Sequence, residues 1–509
     1  MSKMRLMNPA TSPVTQGFVF DNTYARELTG LYVPWQPQPS PAPRWLRFNH
    51  ALAQELGLDV DRLAGDDGLA VFAGQRVPAG AQPMAQAYAG HQFGGFSPQL
   101  GDGRALLLGE VLDPQGRRHD VAFKGSGPTP FSRGGDGKAA VGPVLREYLI
   151  SEAMHALGIP TTRTLAAVAT GETVRRERPL PGAVLTRTAA SHLRVGTFQF
   201  AAARRDVDGL QRLLGYVTAR HDPELAASDT LALDLLRAVM KRQAALVARW
   251  MGVGFIHGVM NTDNMTLSGE TIDYGPCAFM EAHDPETVFS SIDRDGRYAY
   301  GNQPGIAQWN LARLAEALLP LIDTNPDAAV EAATEVIHAW PSLYQPAWLG
   351  VFRAKLGLLP AGHADEADRA LATDYLQLLH TWQVDHTLGF RLLAALLRTG
   401  DATALAERLG PGTAAFQPWL ARWQQRLAQQ AGTLAEAADR MDDTNPLVIP
   451  RNHLVEAALD AATHDGNLRP FEALLAAIQR PFDPAQTGTV WAQPGTPEQT
   501  TGYRTFCGT

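Results

Sequence analysis

Along VGPVLREYLISEAMHALG, apolar side chains fall at Val141, Val144, Leu145, Tyr148, Leu149, Ala153, Ala156 and Leu157, and Gly158 and Pro160 end the run. That spacing predicts a helix, and it carries Glu147. Just upstream the period changes. RALLLGEVLD and RRHDVAFKG are apolar runs separated by Asp113-Pro-Gln-Gly116, and they predict two strands joined by a turn, with Lys124 ending the second. Further on, QWNLARLAEALLPLI regains the helical period. From about residue 326 to 480 come Ala/Leu-rich amphipathic helices, DRALATDYLQLLH and FRLLAALLR among them, with no fixed-period repeat.

Between these elements the punctuation is uneven. Residues 1–80 mix short helical patterns with Pro-rich stretches such as Trp35-Gln-Pro-Gln-Pro-Ser-Pro-Ala-Pro43, and predict an N-terminal extension packed on the main body of the chain. From Tyr88 to Gly142 glycine is dense, in GHQFGGFSPQLGDGR and KGSGPTPFSRGGDGK. Glycine permits the close backbone approach that phosphate-cradling loops need, and ordinary turns between strands use it too. The last thirty or so residues, rich in Pro, Gly and Thr, predict a weakly structured tail carrying Cys507.

Composition narrows the class. At 509 residues the chain is long enough for several domain-sized units, with 45% hydrophobic and 19% charged residues, as in ordinary globular enzymes. A net charge of −8 argues against general affinity for nucleic acid or anionic membranes. The N-terminus has no apolar run to serve as a signal core, and the long apolar stretch from Leu231 to Met260 is broken by Asp, Lys and Arg. Two cysteines exclude a disulfide scaffold and a Cys-based zinc ribbon. The expectation is a reduced, cytoplasmic protein with no nucleic-acid or membrane partner.

The chemistry concentrates in one constellation. Val121-Ala-Phe-Lys124 has the context of a kinase strand lysine, which orients a polyphosphate and is fixed by a helix glutamate, here Glu147. HGVMNTDNMTLSGETIDYGP (257–276) resembles a kinase catalytic loop with one part changed. Asn264 falls where the metal-binding Asn belongs and Asp273 where the second metal ligand belongs, while Val259 occupies the place of the catalytic Asp. An Asn carbonyl and an Asp carboxylate, with phosphates and water, suffice for magnesium. Arg104 beside Gly101-Asp-Gly103, and Arg187 and Arg194 in TRTAASHLR, offer planar forks to phosphate, or to surface ion pairs. His257 reads as a structural hydrogen-bonding residue. No zinc-protease helix, nucleophile elbow or Walker lysine is present. From the residues alone, a divergent kinase transferring the γ-phosphate and an ATP-binding scaffold without turnover both stay open. Val259 argues against the first, and the intact Lys, Glu, Asn and Asp against the second.

YAGHQFGGFSPQLGDGRALLLGE, KGSGPTPFSRGGDGKAAVGPVLREYLISEAMHALGIPTTRTLA and HGVMNTDNM…IDYGPC closely resemble the selenoprotein O family, kinase-fold protein adenylyltransferases. The N-terminal region and NPLVIPRNHLVEAAL extend the resemblance over nearly the whole chain. It implies an α+β, protein-kinase-like bilobal core (81–320) with an N-terminal extension (1–80), a helical C-terminal region (321–480) and a tail (481–509). It further implies transfer of AMP from ATP, bound in flipped orientation, to protein Ser, Thr or Tyr hydroxyls, with pyrophosphate released. On this resemblance Lys124 contacts phosphate and pairs with Glu147. Gly101, Gly103, Arg104, Asp136, Gly137, Arg187, Arg194 and Asp273 line the nucleotide site. Asn264 and Asp273 hold Mg²⁺, or Mn²⁺ in its place, and Asp263 is the proton acceptor. Members often carry a selenocysteine or cysteine near the C-terminus, where Cys507 stands, and in some it pairs with an activation-segment cysteine. Here Cys277 is the only other cysteine, and FSSIDRDG has serines where that partner is expected.

Overall fold

The computed structural model describes residues 17–506. Eight strands build its main sheet: β1 (Tyr32–Pro34), β2 (Arg44–Phe48), β3 (Met84–Gln86), β4 (Ala105–Leu112), β5 (Arg118–Lys124), β6 (Ala139–Ala140), β7 (Arg163–Arg175) and β8 (Pro179–Ala189). They run in the order β1-β3-β4-β5-β8-β7-β2, with β6 paired to β8 beside this path. All of these pairings are antiparallel. The two strands legible in the sequence are β4 and β5, and the turn at Asp113 joins them. The stretch before residue 80 does more than pack on the rest, since β1 and β2 form the two edges of this sheet.

Strand register decides what the site receives. Residues directly opposite in an antiparallel pair share a face, and so do residues two apart along a strand. Lys124 lies opposite Leu185, and Ala122 opposite Arg187. Lys124, Arg187 and Asp120, four residues before Lys124, therefore project from one face of the sheet. A one-residue slip would send all three to the other side.

Helix α1 (Val141–Ala156) covers this face. Its sequence periodicity is clear, yet it is buried almost all round, Arg146 and Glu147 included. The reason is a second layer. Val144, Leu145, Tyr148 and Leu149 pack with Leu185 and Ala183 of the sheet, and with Val455, Leu459, Phe471, Leu474 and Ile478 from two C-terminal helices. Each such side chain, fully buried, contributes about 1.5–3 kcal/mol. The rest of the chain is largely helical. Helix α2 (Val195–Ala203), α3 (Leu231–Val253) and α4 (Gln303–Ile322) surround the loop of residues 257–276. Helix α5 (His386–Thr399) belongs to the C-terminal region, as do α6 (Asn452–His464) and α7 (Arg469–Ile478), the two that cover α1. Among the described residues no helix is long and apolar enough to cross a membrane.

The end of the described chain is docked, not loose as its composition suggested. Thr505 N–H donates to Phe289 O at 2.8 Å and Ser291 N–H to Thr505 O at 2.9 Å. Thr505 Oγ1 donates to Pro276 O at 2.6 Å. Tyr503 Oη donates to Glu456 at 2.6 Å and accepts from Arg146 at 3.2 Å. Cys507 lies outside the described residues. Cys277 is fully buried, its Sγ–H donates to Tyr274 O at 3.3 Å, and burial pushes the thiol up to about 12. So high a value keeps it an unreactive thiol near neutral pH.

Arg451 joins the helical region to the loop segment. Fully buried, it meets Asp385 through Nη1 at 2.6 Å and Nη2 at 3.1 Å, with Glu281 at 3.5 Å. Asp385 in turn caps α5 by accepting from Leu388 N–H at 2.8 Å. Removing one partner of such a pair strands a buried charge. Arg451→Met is expected to destabilise the protein by about 3–5 kcal/mol in urea unfolding. An unchanged midpoint would show that the pair adds nothing to holding these segments together.

Candidate functional site

The sheet face, α1 and the 257–276 loop enclose a cleft of about 700 Å³, within the range of small-molecule sites. It brings together all twelve residues expected to bind nucleotide or metal or to accept the proton: Gly101, Gly103, Arg104, Lys124, Asp136, Gly137, Glu147, Arg187, Arg194, Asp263, Asn264 and Asp273. Its floor is a four-membered ionic cluster. Lys124 Nζ meets Glu147 Oε2 at 2.5 Å and Asp273 Oδ1 at 2.8 Å. Arg187 Nη1 meets the same two carboxylates, at 3.2 and 2.9 Å. Arg194 adds a third cation, 3.7 Å from Asp273 Oδ2. Burial acts to raise the Asp273 carboxyl, but Lys124, Arg187 and Arg194 outweigh it and hold the group well below the carboxylate range. Asp273 also has φ of +64°, which costs a non-glycine residue about 1–3 kcal/mol. The three cations offset that strain and keep its side chain in the cleft.

The loop around Asn264 is fixed from below. A short pairing of Phe255–Ile256 with Ala278–Phe279 closes its base. His257 is buried, with Nε2 2.9 Å from Ile272 O and Nδ1 3.4 Å from Val259 N–H, so it is the hydrogen-bonding spacer the sequence suggested. Asn264 Nδ2 donates to Val259 O at 3.0 Å, which leaves Oδ1 as its accepting atom. Val259 lines the cleft with an aliphatic side chain. The carboxylate beside it is Asp263, buried, with Oδ2 accepting from Gln92 at 3.3 Å and Oδ1 without a hydrogen-bond partner. Burial pushes the Asp263 carboxyl up to about 6. Its own backbone carbonyl accepts from Arg194 Nη1 at 2.9 Å.

Charge in the cleft is opposite to that of the chain. Eight Lys and Arg side chains line it against four carboxylates, in a protein of net charge −8. Four of the eight are not picked out individually by the sequence: Arg133 and Lys138 lie in the glycine-rich KGSGPTPFSRGGDGK run, and Arg175 and Arg176 carry no motif. Arg176 pairs with Asp136 at 2.8 Å and Lys138 with Glu172 at 2.6 Å, both at the rim. Arg104 lines the cleft as well, and among the described residues no ion pair or hydrogen bond engages its guanidinium. Tyr88 is likewise unmarked. Its ring lies 4.4 Å from the Arg194 guanidinium carbon and helps to hold that side chain. Only its glycine-rich setting could have drawn notice.

Two glycines are required by close approach. At Gly101, φ is +80° and a Cβ would stand 2.4 Å from the Phe131 ring, so the two glycine-rich loops can meet. Gly90 opens a small hairpin, Gly90–Gln92 with Gly95–Ser97. A Cβ there would stand 2.8 Å from Asp263 Oδ1 and 3.1 Å from Leu100. This hairpin is tied to the loop by His91 N–H to Thr262 Oγ1 at 2.7 Å and Phe93 N–H to Asn261 Oδ1 at 3.1 Å.

The donor set fits a hard divalent cation. Among the described residues no group of three or more His, Cys, Asp or Glu could hold a metal ion. Asn264 and Asp273 share the cleft, and two oxygen ligands suit magnesium, which keeps waters and takes phosphate oxygens.

Residues 18–479 match the family model described as protein adenylyltransferase SelO. The chain is 60% identical over 493 residues to a protein nucleotidyltransferase YdiU of Cereibacter sphaeroides, covering 97% of this chain and 100% of that one. It is 58% identical over 482 residues to the protein of that name from Chromobacterium violaceum (94% and 99%) and 53% identical over 500 residues to that from Rhizobium rhizogenes (98% and 99%).

Gly90 offers a direct check on the geometry around Asp263. Gly90→Ala is expected to cost about 1–3 kcal/mol in thermal unfolding, because the added methyl group meets the buried Asp263 and Leu100 side chains, which must shift to admit it. A crystal structure of the variant is expected to show the Asp263 carboxylate displaced. Unchanged stability with Asp263 in place would contradict the close approach.

Proposed function

The chain belongs to the SelO family of protein adenylyltransferases, and on that premise we propose that it transfers AMP from ATP to Ser, Thr or Tyr hydroxyls of acceptor proteins. A protein-kinase-like, two-lobed core of residues 81–320 carries the reaction, joined by residues 17–80 at the sheet edges and by the helical region 321–480. The antiparallel sheet, the lysine–glutamate pair and the 257–276 loop support this division. Two cysteines in the whole chain suit a reducing, cytoplasmic setting.

One observation carries the reading. An aliphatic residue, Val259, stands where a γ-phosphate-transferring kinase keeps its base, and the half-unpartnered carboxylate of Asp263 stands beside it in a cleft with excess cations. Lys124, Arg187, Arg194 and the free Arg104 would bind the triphosphate with its γ end inward, so that the α-phosphorus faces the acceptor. Such cations act most strongly where water is excluded. Asn264 and Asp273 would hold magnesium, which when bound neutralises charge on the phosphate oxygens. The acceptor oxygen then forms a bond to the α-phosphorus while the bond from that phosphorus to the oxygen bridging to the β-phosphorus breaks. Pyrophosphate leaves among the cations, and the hydroxyl proton passes to Asp263. The raised Asp263 pKa suits a group that must take up a proton without being wholly quenched by its neighbours.

Incubation with ATP labelled at the α or the γ position tests this, using the protein itself and a cell lysate as acceptors. Protein-bound label is expected from α-ATP only, and chelation of divalent metal is expected to abolish it. Asp263→Asn is expected to lose transfer by about 10²–10⁴-fold while still binding ATP. Label from γ-ATP alone would identify a phosphotransferase and overturn the reading.

A further inference from the structure

We propose that His192 is a positioning residue for this transfer, held by Asp120 as one neutral tautomer so that its Nε2 lone pair orients the Arg187 guanidinium. The inference rests on the adenylyl-transfer reading for its catalytic consequence, and on geometry alone for the arrangement itself.

Arg187 Nε lies 3.2 Å from His192 Nε2. A guanidinium nitrogen only donates, so Nε2 must accept and the ring proton must sit on Nδ1. Nδ1 lies 3.0 Å from Asp120 Oδ2, and the same oxygen accepts His192 N–H at 2.7 Å. All three residues are buried, at 1–3% exposure. A doubly protonated ring would set N–H against N–H at Arg187. Two features keep the ring neutral. Burial lowers its basicity, and the charge of Asp120 is shared with Arg220, whose Nη2 lies 2.6 Å from Oδ1. Arg220 also meets Glu110 at 2.7 Å, which balances the cluster behind the site.

The line of contacts therefore runs from Asp120 through His192 and Arg187 to the carboxylates of Glu147 and Asp273. The histidine also acts through its backbone, because its carbonyl accepts from Arg194 Nε at 3.2 Å. One residue thus sets the direction of both arginines: Arg187 by side chain and Arg194 by main chain. Only the first link is exposed to substitution.

Three variants separate the two halves of the side-chain link. His192→Gln places an oxygen near the Nε2 position and keeps an acceptor for Arg187. His192→Asn keeps a donor near Nδ1 for Asp120 but offers Arg187 nothing. His192→Leu keeps neither. Partners that orient a functional group from behind are worth about 10–100-fold in activity, so Asn and Leu are expected to lower kcat by that factor and Gln to recover most of it. The KM for acceptor protein is expected to stay near that of the unaltered protein. ATP affinity measured by calorimetry in the presence of magnesium is expected to follow the same order. That second reading holds even if α-labelled ATP gives no transfer, so failure of the reaction and failure of the arrangement are told apart. Wild-type kcat and affinity in Asn and Leu would overturn the proposal. So would a Gln variant as impaired as Leu while melting at the wild-type temperature. Should Leu fail to fold, Gln against Asn decides the matter.

Discussion

Two carboxylates and two cations share the floor of the cleft, and the surrounding architecture answers the cost of keeping them there. Lys124 and Arg187 each touch both Glu147 and Asp273. An isolated charge at that depth would lose several kcal/mol of hydration, and only close, multiply hydrogen-bonded pairing compensates. Each member comes from a different element, so each element has to be held in register with the others. The cluster is also incomplete on its open side, where Arg194 and Arg104 add positive charge with too few carboxylates to match. The cleft is left with positive charge that the protein's own acids do not balance.

The two layers of α1 serve that same requirement. Its sheet side sets the depth of Glu147, and its outer side is covered by α6 and α7. The C-terminal helices, whose part in the chemistry is not legible in their composition, thus act through packing. They are remote in sequence from Lys124 and Asp273, but they fix the helix whose Glu147 pairs with Lys124. Arg451, through Glu281, and Asn452, whose Nδ2 donates to Phe279 O at 3.0 Å, tie the same region to the segment after the loop.

Much of this is legible in the sequence. The strands ending at Lys124, the helix bearing Glu147 and the spacing of Asn264 and Asp273 are local features, and periodicity and motif order reveal those. What stays hidden depends on contacts between distant segments. Nothing in the proline-rich opening marks β1 and β2 as sheet edges, because three- and five-residue strands leave too short a pattern. His192 reads as an unremarkable loop residue until register brings Asp120 and Arg187 to one face. Arg175 and Arg176 are hidden for the same reason, since surface arginines look alike until the rim of a cleft gathers them.

The far end of the chain bears on synthesis. Tyr503 reaches back across 357 positions to Arg146, one residue before Glu147, and Thr505 bonds the carbonyl of Pro276 within the loop that carries Asn264 and Asp273. Tyr503 and Thr505 follow the strands of the main sheet by more than three hundred positions, so they are made long after them. Chains emerge at about 5–20 residues per second and their N-terminal parts fold first. The sheet with Lys124 therefore has tens of seconds of existence before α6, α7 and the final turns arrive to seat α1. Through that interval α1 lacks the outer layer of α6 and α7, so the depth of Glu147 beside Lys124 is set only once those helices have been made.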